Sequence, residues 1–347
     1  MVAARVIFGI GSCLIVAIQQ SLLAHWFRHR LAIAFGLEIS IGRLFMFLGT
    51  LASNPIAKLT GDWVWAFWLS LILCGFSLVV NMVYILCARR IKLAPKRFDI
   101  RTLLKFPFIL WHVLLIEFLF SASWAAFQTI STDLVEVRFG SSAILAGYKA
   151  STSQIVPIVA APFLGLLVEL YGGRVLMLGV SSVFFIVSMV LLGWTAVNAV
   201  VGMVCYSVCL ALGLISLITC VGTVTPVDQL GTGYGMYQSA NNLGTSILDI
   251  VIGVLQDSTA NQGYERVMLL FLILGCISLG LIVGLEIFQY KAYDNLLETT
   301  RPKRLELLKK KYSQEIKGWN WICVGIYLAI LLVAWVLFFV YSATGHR

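Results

Sequence analysis

Charge is scarce in this sequence. Only 12% of its 347 residues are Asp, Glu, Lys or Arg, against 60% hydrophobic, and the mean hydropathy is +0.94; soluble domains carry about a quarter charged residues. A water-soluble globular fold is thereby excluded. Histidine is nearly absent as well, and His25, His29, His112 and His346 do not stand at metal-ligand spacing. No C-x-x-C pair, G-x-S-x-G turn or phosphate-cradling loop occurs, so neither a metal centre nor a hydrolytic or redox enzyme is expected. The eight cysteines (Cys13, Cys74, Cys87, Cys205, Cys209, Cys220, Cys276, Cys323) all lie within apolar runs and read as free, buried thiols. No Asn-x-Ser/Thr sequon occurs, which excludes an N-glycan. No cleavable leader is expected, because the first apolar run holds Arg5 and lacks a small-residue cleavage pattern.

What the chain does have is long apolar runs. A helix crosses the hydrocarbon core in about 20 residues, and runs of that length fall near 4–26, 31–56, 64–88, 107–131, 142–168, 174–194, 198–221, 234–256, 265–288 and 319–342. The net charge of +9 sits mostly in the short connections between them, so it reads as membrane orientation and not as a nucleic-acid face. Connections after the odd-numbered runs hold 18 of the 25 Lys and Arg residues; those opposite hold four (Lys58, Arg138, Arg266, Arg347), and Arg5, Arg43 and Lys149 lie inside runs. By the positive-inside rule the basic side is cytosolic. The basic linker at 89–106 divides the chain into three early spans (1–88) and a six-span group (107–288), followed by a charged cytosolic segment (289–318) and a tenth span (319–342).

Between the fifth and sixth runs stands Gly165-Leu-Leu-Val-Glu169-Leu-Tyr-Gly172-Gly173-Arg174. Its glycines permit a tight reversal, Arg174 and Glu169 stay near the polar interface, and a carboxylate there can face the positive end of a nearby helix. The spacing G-x-x-x-[D/E]-x-x-G-x-R resembles the signature loop of the major facilitator superfamily. Arg5-Val-Ile-Phe-Gly9-Ile-Gly11 is similar to the opening of the fourth helix in that family. Further blocks resemble its lysosomal dipeptide transporter branch: Ala24-His-Trp-Phe27, Phe35-Gly-Leu-Glu-Ile-Ser-Ile-Gly-Arg43, Arg138-Phe-Gly-Ser-Ser142, the stretch from Ala160 to Glu169, and that from Asp228 to Gly244.

The resemblance covers about residues 5 to 290. It implies an all-α polytopic membrane protein with a major facilitator fold, lacking helices 1–3 of the usual twelve and carrying one extra C-terminal span. It also implies alternating access, a lysosomal address, no cofactor, and a heavily glycosylated accessory membrane protein as a partner.

Ionisable groups inside the runs are the first candidates for a solute site, since each costs about 3 kcal/mol to place near a helix centre. Arg43 and Glu117 lie near mid-depth, Glu38 shares the span of Arg43, and Lys149 and Asp249 lie in outer parts of theirs. The resemblance gives Arg43 the substrate carboxylate, for which a guanidinium fork is suited. Gln19, Gln20, Gln128, Gln154, Tyr237 and Asn242 add polar positions, and Tyr234, Gln238 and Asn241 share one helical face. Where the family has an acid after Gly-x-Gly, this chain has Cys13, which speaks against a cationic-dipeptide preference; Glu38 or Glu117 are the candidates to take its place. Gly165, Glu169, Gly172 and Arg174 are the expected gating residues, and Tyr293-Asp-Asn-Leu296 fits the sorting pattern Y-x-x-Φ. The resemblance makes dipeptides the favoured substrate. The alternatives are a facilitator for a sugar or organic anion, and a non-transporting, truncated membrane scaffold.

Overall fold

Nearly every apolar run is a helix in the computed structural model, which describes residues 2–27, 30–62, 64–88, 103–104, 106–226, 229–259, 263–300, 302–303, 306–307 and 318–344. The helices are α1 (Val2–Trp26), α2 (Leu31–Thr60), α3 (Val64–Ala88), α4 (Phe108–Ile116), α5 (Ala122–Phe139), α6 (Ala143–Ser151), α7 (Ile155–Tyr171), α8 (Arg174–Trp194), α9 (Ala199–Val224), α10 (Leu230–Asp257), α11 (Glu265–Ala292) and α12 (Gly318–Thr344). No strand occurs among the described residues. Most of the basic linker and of the charged segment, 89–102, 105, 301, 304–305 and 308–317, lies outside the described residues.

Two spans are interrupted rather than regular. A π turn, Glu117–Ser121, joins α4 to α5, and a 3-10 turn, Thr152–Gln154, joins α6 to α7. Pro157 accounts for the second, because its ring has no N–H and crowds the carbonyl four residues back. The loosened backbone is satisfied from outside: Val156 N donates to Ser207 Oγ of α9 at 2.9 Å, the kind of rescue a broken helix in a membrane requires.

Counting each interrupted pair as one span, nine helices among the described residues are long and apolar enough to cross a membrane. The tenth expected span is α10. Its 28 residues extend about 42 Å, enough to cross, but Gly, Asn, Gln and Ser lower its hydropathy. A helix that polar needs protein around it, and it has α1, α5, α9, α11 and α12 as neighbours.

The core lies between α4, α5, α8, α9 and α11. Phe120, Trp124, Phe127, Phe185, Tyr206 and Phe271 pack there edge to face or tilted, with ring centroids 4.5–6.4 Å apart. Hydroxyls fasten the helices where hydrophobicity gives no net attraction: Ser181 Oγ donates to the Cys209 carbonyl at 2.8 Å, and Ser188 Oγ to that of Gly202 at 2.8 Å. The eight cysteines are unpaired. Their expected burial holds for Cys209 and Cys220 but not for Cys74, Cys87 and Cys276, which point outward. An apolar run does not say which face of its helix meets lipid.

Candidate functional site

Both irregular turns border one polar cluster in the middle of the bundle. From α2, Arg43 Nη1 donates to Gln154 Oε1 at 3.0 Å, so the 3-10 turn presents the acceptor. Arg43 also stands close enough to Tyr206 and Tyr237 to interact with them electrostatically. Tyr237, on α10, reaches Glu117 at the head of the π turn, and Ser121 and Asn241 are the other polar neighbours of that carboxylate. Asn241 Nδ2 in turn donates to Ser121 Oγ at 2.8 Å. Gly244, one turn further along α10, has no room for a side chain, since a Cβ there would lie 2.2 Å from the Phe118 carbonyl. That absence is what lets α10 lie flush on the π turn.

Two carboxylates in this region are incompletely satisfied. Glu38 Oε1 accepts from Gln19 Nε2 at 3.0 Å, whereas Glu38 Oε2 and Glu117 Oε2 are buried without a hydrogen-bond partner. Glu117 is 1% exposed. A buried orphan oxygen is costly, and it is a place where a donor from a solute would be received. With a guanidinium at one side and a carboxylate at the other, the cluster can hold a small polar molecule by both an acceptor and a donor.

The early helices meet the later ones along a seam between α2 and α6–α7. At the end of the bundle that bears the basic loops, Glu169 Oε2 accepts from Ala32 N, at the start of α2, at 3.4 Å. A Cβ on Gly165 would lie 2.4 Å from the Ala32 carbonyl oxygen, and one on Gly36 2.6 Å from that of Ala161, so the two backbones touch. Further along, Ser40 Oγ donates to the Ile158 carbonyl, and Asn54 Nδ2 to that of Ala143 at 2.9 Å.

The model of the Major Facilitator Superfamily matches two overlapping stretches of the sequence, residues 1–248 and 113–346. The chain belongs to the major facilitator superfamily. It is thus a member of a family of membrane solute transporters, not of an enzyme family, and a multi-pass integral membrane protein. It is 26% identical over 323 residues to the lysosomal dipeptide transporter MFSD1 of Danio rerio, covering 86% of this chain and 69% of that protein. With the protein of the same name from Homo sapiens it is 26% identical over 300 residues, 80% of this chain and 63% of that protein. Among solved structures, the human organic anion transporter MFSD10 (TETRAN) aligns with a TM-score of 0.58 at 18% identity, over 77% of this chain and 67% of that one.

The superfamily's signature loop is held in an unexpected place. Gly172 and Gly173 have φ of +83° and +65°, which glycine adopts without the penalty a side chain would bring. Arg174, expected at the polar interface, is 1% exposed and donates from Nη1 to the Leu297 carbonyl at 3.0 Å. Glu298 returns the contact by accepting from Val175 N at 2.7 Å and Leu176 N at 3.1 Å, capping the start of α8. Gln289 Oε1 accepts from Leu297 N at 3.2 Å. Glu169 therefore touches α2, whereas Arg174 clasps the segment that follows α11.

Burial is the largest influence on the Glu298 carboxyl and raises its pKa above the ordinary carboxylate value, with the two N–H donors and Arg174 pulling the other way. The clasped form thus holds a proton more readily than a released one, so the clasp is firmest in acid and loosens as pH climbs through that raised value. Glu298→Ala is expected to loosen residues 293–300, with the ratio of clasped to released forms falling roughly tenfold, as for loss of a helix cap; deuterium uptake of that segment would measure it.

The same clasp shapes the Y-x-x-Φ stretch. Tyr293 packs on Phe288 with centroids 5.6 Å apart, Asp294 and Asn295 turn at positive φ, and Leu296 is buried. The stretch is folded into a turn here.

The expected site face is also divided. Arg43, Glu117 and Asn241 come together, and Gln19 adjoins them through Glu38. Tyr234 adjoins the cluster only electrostatically, through Glu38 and Tyr237; its ring is fully buried, edge-on to Phe35 at 5.5 Å. Gln238 turns to a different cavity, between α1, α10 and α12. Positions 234, 238 and 241 share a stripe, but a helix wrapped on several sides shows different edges of one stripe to different neighbours. Tyr237 and Gln154, first noted as secondary polar positions, are central. Tyr206 carries no flag in its apolar run, whereas Ser121 follows Glu117 by four, a spacing that could have found it.

Proposed function

We propose that the chain carries dipeptides across the lysosomal membrane by alternating access, with a glycosylated accessory membrane protein as its partner. The observation that supports this most is the opposition of Arg43 and Glu117 within one cluster at the junction of the early and late helices. A dipeptide is a zwitterion of matching polarity: Arg43 takes its carboxylate, Glu117 its ammonium group, and Tyr237 and Asn241 the amide between. The relatives named lysosomal dipeptide transporter favour the same class. With Cys13 in place of an acid on α1, ammonium recognition falls to Glu117 of the π turn, so neutral dipeptides are favoured over cationic ones.

Uptake by proteoliposomes containing the full chain tests the reading, with dipeptides, amino acids, sugars and organic anions as competitors. Competition by dipeptides alone is expected. Competition by a sugar or an organic anion in their place would replace the substrate class. A non-transporting scaffold remains the second reading because the spanning stretch of α3 buries none of its residues, leaving that surface open to another protein; uptake by the chain alone would dismiss it.

A further inference from the structure

The second polar flank of α10 is not used by the Arg43–Glu117 cluster. Gln238, Asn242, Ser246 and Asp249 recur at helical spacing and line a cavity of about 920 Å³ whose other walls are α1 and α12. The cavity has a definite cause. At the basic end α1 and α10 touch, so that a Cβ on Gly231 would lie 3.2 Å from Ser21 Oγ; Asn242 Nδ2 donates to Cys13 Sγ at mid-depth. Beyond that point Asp249, Trp335 and Phe338 are part of the cavity wall. The third wall, α12, is fastened near its start, where Asn320 Nδ2 donates to the Leu104 carbonyl and Tyr327 meets Trp111 edge-on at 6.3 Å.

We propose that this cavity binds an amphipathic organic cation, its charge on Asp249 and its apolar body against Trp335 and Phe338. Asp249 is the one ionisable side chain among the lining residues apart from the Cys13 thiol, and among the described residues it has no hydrogen bond or ion pair. A carboxylate within a spanning helix calls for a cation or a water-filled cavity. Aromatic faces attract cations as well as hydrocarbon, and a cavity of this size suits a drug-sized molecule. The amide and hydroxyl groups of Gln238 and Ser246 would accept or donate along its length. An anion of the same shape is disfavoured by the sign of Asp249.

Tetraphenylphosphonium and tetraphenylborate, equal in shape and opposite in charge, separate recognition from simple partitioning. With the purified full chain in lipid nanodiscs, saturable binding of radiolabelled tetraphenylphosphonium is expected. Asp249→Asn should weaken it at least tenfold and Trp335→Ala several-fold, with thermal melting of Asp249→Asn unchanged as the check on folding. Arg43→Ala should leave this binding intact, so the cavity stands or falls separately from the dipeptide reading. Wild-type affinity in Asp249→Asn, or equal displacement by tetraphenylborate, would overturn the proposal.

Discussion

Arg43→Ala is expected to weaken dipeptide binding by roughly 10- to 150-fold, the equivalent of one hydrogen bond to a charged group at about 1.5–3 kcal/mol. The side chain is only half-buried and bonds a neutral amide, Gln154, so in the absence of solute its charge is hydrogen-bonded to no carboxylate among the described residues. A substrate carboxylate would satisfy it without breaking an existing ion pair. Arg43→Lys should restore part of the loss, because an ammonium keeps the charge but not the two-pronged geometry. The complementary change, Glu117→Gln, should weaken free dipeptides and spare N-acetylated ones, which have no ammonium group to lose. Calorimetric titration of the purified chain reads both effects, and wild-type affinity in Arg43→Ala would remove Arg43 from the site.

Arg43 and Glu117 were legible in the sequence for an energetic reason: a charge inside a hydrophobic run is costly, and it stands out against its neighbours. The helices were legible for the same reason in reverse, since runs of about 20 apolar residues have few other uses. Tyr206 was not legible, because tyrosine is unremarked among aromatics until its hydroxyl is seen donating to the Trp124 carbonyl at 2.7 Å. Pro157 could have announced the break at Thr152–Gln154, but nothing local announces the π turn at Glu117, which depends on α10 lying against it at Gly244. The clasp was beyond reach for a further reason. It joins Arg174 to Leu297, 123 positions apart, and a signature read from ten consecutive residues holds no information about what docks on it.

Gly165→Leu is expected to abolish closure of the α2–α7 seam. A first side-chain carbon at position 165 would already stand 2.4 Å from the Ala32 carbonyl oxygen, and that obstacle is backbone, which cannot rotate away as a side chain can. Overpacking of this kind costs about 1–3 kcal/mol, and the upper figure shifts the ratio of closed to open forms by roughly two orders of magnitude. The contact lies at the basic end, beside the Glu169–Ala32 hydrogen bond, so the variant should rest with that end parted. Ala32 is 1% exposed in the closed form; in an Ala32→Cys background the thiol should resist a membrane-impermeant maleimide, and adding Gly165→Leu should make it react. Transport should fail at the same time, since a carrier held open at one end cannot return its site to the other. Full uptake with a still-protected thiol at position 32 would mean that the seam yields elsewhere, and that the parting of α2 from α7 is not the motion by which the two helix groups exchange access.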